Sequence, residues 1–121
     1  MNILLKIPLP KNLLSEGNKN DHWSKKHKRN KRRAQWLCAY WKIDENALNL
    51  PCVVKFTRIA PYALDEDNMG TSMKYFRDWI ADKIIPGLAP GRADGDKRIT
   101  WHYAQEKGAV KEYALKIELI S

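Results

Sequence analysis

Cysteine is scarce in this chain. Cys38 and Cys52 are the only two, and they show none of the close spacings that make a metal knuckle. A disulfide framework is therefore excluded, and both thiols are read as reduced and buried or half buried. Long apolar runs are missing as well. Nothing approaches the ~20 residues needed to span a bilayer, and Met1-Asn2-Ile3-Leu4-Leu5-Lys6-Ile7-Pro8 is too short for the apolar region of a signal peptide. The expectation is a cytoplasmic protein with no membrane partner. Repeats, low-complexity tracts and linkers are absent too. A length of 121 residues, 44% hydrophobic content and five Trp suit a single domain over residues 1–121. Acid is the poorer charge, with 14 Asp and Glu against 22 Lys and Arg for a net +8. Such an excess attracts phosphate and gains entropy by releasing counterions, so a polyanion is the expected partner, nucleic acid first and an acidic membrane surface second.

The periodicity sets an element order. Ile3, Leu5, Ile7 and Leu9 alternate with a period of two, and Pro8 and Pro10 place that strand near a sheet edge. Residues 11–23 carry Ser15, Gly17, Asn18, Asn20 and Asp21 and read as a loop. Ser24 is a candidate N-cap for a helix over 24–43, basic in its first half, with Trp23, His27, Ala34, Leu37, Tyr40 and Trp41 at helical spacing. Cys52-Val53-Val54-Lys55-Phe56-Thr57-Arg58-Ile59 reads as a strand. Met73, Phe76, Ile80 and Ile84 describe a second helix between 70 and 85, stopped by Pro86, Gly87, Pro90 and Gly91. Ile99, Trp101 and Tyr103, then Tyr113, Leu115, Ile117 and Leu119, alternate on either side of Gly108 and predict an antiparallel hairpin. The fold class is α+β: a single domain with a mixed β-sheet, helices packed on one face and the order β-α-β-α-β-β.

Against the basic background, half of the 14 acidic residues fall between positions 65 and 96. Leu64-Asp65-Glu66-Asp67-Asn68 sits just past a strand, and Asp94-Gly95-Asp96 follows about thirty residues later. Clustered carboxylates repel one another, which a divalent metal among them relieves. Asp65 and Asp67, two apart in an extended or turning backbone, lean the same way, and Asp96 completes a triad if the 86–94 loop folds back. Three carboxylates with open positions suit Mg²⁺, with Mn²⁺ as a substitute, rather than Zn²⁺. Such a site activates water against a phosphodiester. Asn68 reads as a helix cap. Lys74, Asp78 and Asp82 share the helix face away from the core, where Asp82 reads as solvated.

Lys25, Lys26, Lys28, Arg29, Lys31, Arg32 and Arg33 place seven cations in nine positions, interleaved with His27 and Asn30. So dense a run repels itself along a helix, and phosphate contact explains it. Trp23, Trp36 and Trp41 read as core or dimer-contact residues rather than stacking platforms.

The order Asp65-x-Asp67-Asn68, Lys74-x-x-x-Asp78 and Asp94-x-Asp96-x-x-Ile99, with Asn20-x-His22-Trp23 after a Pro-containing first strand, resembles the RusA-type Holliday junction resolvases, particularly their phage and prophage branch. The resemblance covers most of the chain. It implies a homodimeric Mg²⁺-dependent endonuclease that nicks two opposed strands of a four-way junction, with no small-molecule cofactor. By that likeness Asp65, Asp67 and Asp96 fall on metal-binding aspartates and Lys74 on the active-site lysine. Asp78 matches a further acidic position, and Asn20 and His22 join the basic run as DNA-binding candidates. Two departures stand out. Asp67 and Lys74 are further apart than in the best-known members, and the loop before Asp94 is long, leaving Asp94 and Asp96 as alternative ligands. Two other functions compete: a branched-DNA-binding protein with weak or no turnover, and a flap or single-strand nuclease.

Overall fold

A computed structural model describes residues 2–14, 23–87 and 92–121. The element order is β1 (Asn2–Pro8), α1 (Lys11–Leu14), α2 (Trp23–Tyr40), β2 (Cys52–Ala60), α3 (Glu66–Ile84), β3 (Ile99–Lys107) and β4 (Ala114–Ile120), with short 3-10 turns at Glu45–Ala47 and Ala93–Gly95. This is a single α+β domain in the anticipated order, with a four-stranded mixed sheet. Part of the segment read as a loop forms the one-turn α1. Asn20 and His22 lie outside the described residues.

The sheet order is β1-β4-β2-β3. β1 pairs antiparallel with β4, β4 antiparallel with β2, and β2 parallel with β3. The predicted hairpin is thus corrected: β3 and β4 are consecutive in sequence but are not neighbours in the sheet. Helix α3 crosses over from β2 to β3, which lets those strands run parallel, and the chain then passes the end of β2 to insert β4 at the centre. Gly108 makes that passage. Its N–H donates to the Ala60 carbonyl at 2.9 Å, and a Cβ there would come within 3.1 Å of both the Ile59 side chain and the Glu112 carbonyl. Burial accounts for the arrangement. Leu115, Ile117 and Leu119 of β4 are fully buried, whereas most of β3 is exposed. The more apolar strand takes the middle and the polar one the edge.

One cluster holds the domain together. Ile7, Val54, Phe56, Leu115, Ile117 and Leu119 from the sheet meet Leu13, Leu14, Leu37, Met73, Phe76 and Ile80 from the helices. Each such side chain contributes ~1.5–3 kcal/mol of burial. Lys6, Lys55, Lys116 and Glu118, at the alternate strand positions, keep access to solvent. Among the described residues no helix is long and apolar enough to cross a membrane.

Candidate active site and nucleic-acid interface

The acidic motif is set in place by its neighbours on both sides. Leu64 N–H donates to Gln105 Oε1 at 2.8 Å, and Gln105 Nε2 donates to the Leu64 carbonyl at 2.7 Å. The next residue, Asp65, is the N-cap of α3, and its Oδ1 accepts from the Asn68 N–H at 2.9 Å. The cap is therefore Asp65 and not Asn68, and the helix starts at Glu66 rather than near Gly70. Glu66 and Asp67 occupy the first turn, where negative charge complements the helix dipole.

Asp65 commits Oδ1 to the Asn68 N–H and Asp67 lies within the first helical turn, so the continuous extended or turning backbone expected of the pair is not what forms. Asp67 falls on the side of α3 that Lys74 and Asp78 share, since seven residues make about two turns. The stretch from Asp67 to Lys74 is continuous helix, which keeps Lys74 on the same face. Lys74 Nζ stands 3.6 Å from Asp78 Oδ2. Asp78 Oδ1 is buried without a hydrogen-bond partner. Burial pushes the Asp78 carboxyl above the usual range; Lys74 opposes that rise, and the nearby Asp94 carboxylate adds to it.

Asp94 comes to α3 from the 3-10 turn. Arg77 holds it: Nε lies 3.6 Å from Asp94 Oδ2, and NH2 donates to the Asp94 carbonyl at 3.2 Å. Trp101 Nε1 donates to the same carbonyl at 3.0 Å. Arg77 also donates to the Tyr103 hydroxyl at 3.0 Å and lies 4.9 Å from the Trp101 ring centroid. Sequence reasoning missed Arg77. Its local signal is only its place beside Asp78 on the helix, and its partners lie on β3 and the turn.

Asp96 goes elsewhere. Its Oδ1 accepts from the Arg98 N–H at 2.9 Å and from Arg98 Nε at 3.0 Å, and its Oδ2 accepts from NH2 at 2.9 Å. The Arg98 side chain, seconded by its backbone N–H, holds this carboxyl down at about 2. Asp65 lies next to Leu64 and Gln105, towards the far end of β3, while Asp96 precedes Ile99 at its start. The six residue steps from Ile99 to Gln105 span ~20 Å of strand. The structure does not bring Asp96 to Asp65 and Asp67, and of the two alternative ligands Asp94 is the one that reaches α3. Among the described residues, no three Asp, Glu, His or Cys side chains form a group that could hold a metal. Asp65, Asp67 and Asp96 as arranged do not fit a shared ion. Asp78 and Asp94 fit better, as two hard oxygen donors with one buried oxygen unpartnered, because Mg²⁺ commonly binds through one or two carboxylates and takes its other positions from water and phosphate.

On α2, Lys25, Lys26, Lys28, Lys31 and Arg32 are exposed and Arg29 is half-buried. Arg33 is a correction, because it is 1% exposed. Its Nε donates to the Leu13 carbonyl at 2.8 Å and NH1 to Asn30 Oδ1 at 2.6 Å, and its guanidinium lies 5.9 Å from the Phe76 centroid. It ties α2 to α1 and α3 and is not a surface cation. Trp36 and Trp41 pack on the core as anticipated, but Trp23 is 73% exposed. A groove of about 220 Å³ runs between α2 and α3, lined by Lys26, Asn30 and Arg33 on one side and Thr71, Lys74 and Asp78 on the other. The basic helix and the Lys74–Asp78 face thus border one another.

Comparison with known proteins gives no match to this chain among family models, curated proteins or solved structures.

Proposed function

We propose that this protein is a Mg²⁺-dependent, structure-selective endodeoxyribonuclease of the cytoplasm that cuts branched DNA, four-way junctions foremost, in recombination, repair or the debranching of phage DNA. The observation that carries the reading is the gathering of Lys74, Asp78 and Asp94 beside a groove whose other wall belongs to the basic helix α2. The exposed cations of α2 bind backbone phosphates without regard to sequence. Lys26 and Lys74 draw one phosphate into the groove. Burial raises the Asp78 carboxyl, a cost that a cation beside it would offset. A Mg²⁺ ion held by Asp78 and Asp94, with Mn²⁺ able to replace it, would activate a water and stabilise the charge on the phosphate. Arg77 keeps Asp94 in place. Paired nicks in opposed strands need two such sites, and the RusA-type resemblance supplies them as a homodimer.

A second reading has its own support. Because no three carboxylates converge among the described residues, a branched-DNA-binding protein without turnover would use the same basic helix. One experiment separates the readings: incubation with a four-way junction, a flap, a single strand and a linear duplex, with Mg²⁺ or Mn²⁺ and with EDTA. Symmetric metal-dependent nicks in the junction support resolution. Binding without cleavage supports the second reading, and preferential cutting of the flap or single strand points to a nuclease of another shape preference.

A further inference from the structure

We propose that the cavity between the first turns of α3 and the outer edge of β3 receives one unpaired nucleobase of the bound strand, next to the phosphate drawn in by Lys74. The inference rests on the nucleic-acid reading above. The cavity measures about 560 Å³ and is lined by Glu66, Met69 and Gly70 from α3 and by Trp101, Tyr103 and Gln105 from β3. That volume lies within the range of small-ligand sites.

Its aromatic wall is fixed in advance. Phe56 stacks on Trp101 and on Tyr103, with centroids 5.9 Å away in each case and interplanar angles of 11° and 20°. Arg77 pins both rings from the helix side, through the Tyr103 hydroxyl and over the face of Trp101. A ring held this way loses little freedom when a flat partner stacks on it; Tyr103 is the exposed one of the two, and any base offers a face to it. The polar groups suit the edge of a base. β3 is the last strand of the sheet, so among the described residues its outward backbone donors and acceptors have no strand partner. Glu66 is exposed and can accept from an exocyclic amine. Glu66, the acid of the lining, repels phosphate and leaves the uncharged base as the part of a nucleotide that enters.

The location matches the proposed chemistry. Gly70 in the cavity and Lys74 on the phosphate-binding face are one helical turn apart. Arg77, which holds Tyr103, also holds Asp94. A base inside an intact duplex cannot reach such a cavity, whereas the centre of a branched substrate offers bases that unstack at low cost.

The test is an abasic scan of a four-way junction in EDTA, where binding is read apart from cleavage. Each nucleotide flanking the branch point is replaced in turn by an abasic residue. The expected result is one position at which wild-type affinity falls by about 5- to 100-fold. Gly70→Leu fills the cavity from a position whose Cβ meets nothing within 4 Å, and Leu improves helix propensity over Gly. This variant is expected to keep its melting temperature, to bind the intact junction less tightly by a similar factor, and to ignore that abasic position. A flat abasic profile overturns the inference, as does a Gly70→Leu variant that binds like wild type or shows losses additive with the abasic change. The scan on wild-type protein stands alone if the variant does not fold. Junction binding with a flat profile removes the base cavity only, whereas failure to bind any DNA removes the nucleic-acid reading together with it.

Discussion

Gln105 and Leu64, 41 residues apart in the chain, are joined by two hydrogen bonds of 2.8 and 2.7 Å. A β3 side chain thereby completes the backbone hydrogen bonding of the residue just before the helix cap, and so fixes where α3 begins. Everything placed along α3 inherits that starting point. Gln105→Ala is expected to lower stability by ~1–2 kcal/mol in urea denaturation, and to reduce cleavage more than junction binding. Unchanged stability would show that the clamp does not form in solution.

Asp78 is strained electrostatically where it stands. Its carboxyl is raised, mainly by burial, so the folded protein binds that proton more readily than the unfolded chain does. The group costs nothing below the ordinary carboxylate value, and the cost is fully present above the raised one. Asp78→Asn is therefore expected to raise Tm, by up to about 5 °C near neutral pH, with the gain vanishing in acid, while cleavage is lost. Thermal melts across a pH series check the first half and junction nicking the second.

Asp96 behaves in the opposite sense. Held at about 2 by Arg98, it adds stability above the ordinary carboxylate value, and this contribution is lost as pH falls towards 2. Asp96→Asn should move the acid end of the stability profile and leave cleavage intact. Asp94→Asn should abolish cleavage, because it removes one of the two proposed metal ligands. If Asp96→Asn abolishes cutting and Asp94→Asn does not, the catalytic face has been assigned to the wrong aspartate.

The basic run divides into two roles. Arg33→Ala removes a buried guanidinium that bonds the Leu13 carbonyl, and is expected to cost ~2–4 kcal/mol of stability. Neutralising Lys28, Arg29 and Arg32 together should leave the fold intact and flatten the dependence of log affinity on log salt by about 2 to 3. Chemical denaturation and DNA titration at several salt concentrations separate the two.

Gly108 tests the crossover. A Cβ at this position would stand 3.1 Å from both the Ile59 side chain and the Glu112 carbonyl, so Gly108→Ala is expected to destabilise by ~1–3 kcal/mol. A neutral result in denaturant melts would mean that the chain passes the end of β2 with room to spare.

Much of this architecture is legible in residue order. The alternation at Ile3, Leu5 and Ile7, the stripe Met73, Phe76 and Ile80, and the basic stretch before Leu37 all mark elements that exist. The site was legible only in part. Lys74 with Asp78 could be read from helical spacing, but Asp94 rather than Asp96 could not, because Arg98 captures one and Arg77 the other. The Asp65 cap was concealed because D-x-D reads equally as a pair of ligands and as the start of a helix.

The sequence by itself determined the periodicities, and hence where helix and strand form, together with the excess of positive charge that favours a polyanion. These follow from interactions within a few residues of chain. Tertiary structure alone decided that β4 lies between β1 and β2, that Arg33 is buried, and that Asp78 meets Asp94 while Asp96 turns to Arg98. Those outcomes depend on which surfaces compete for burial and which charge finds a partner first, and that competition is settled among residues distant in the chain.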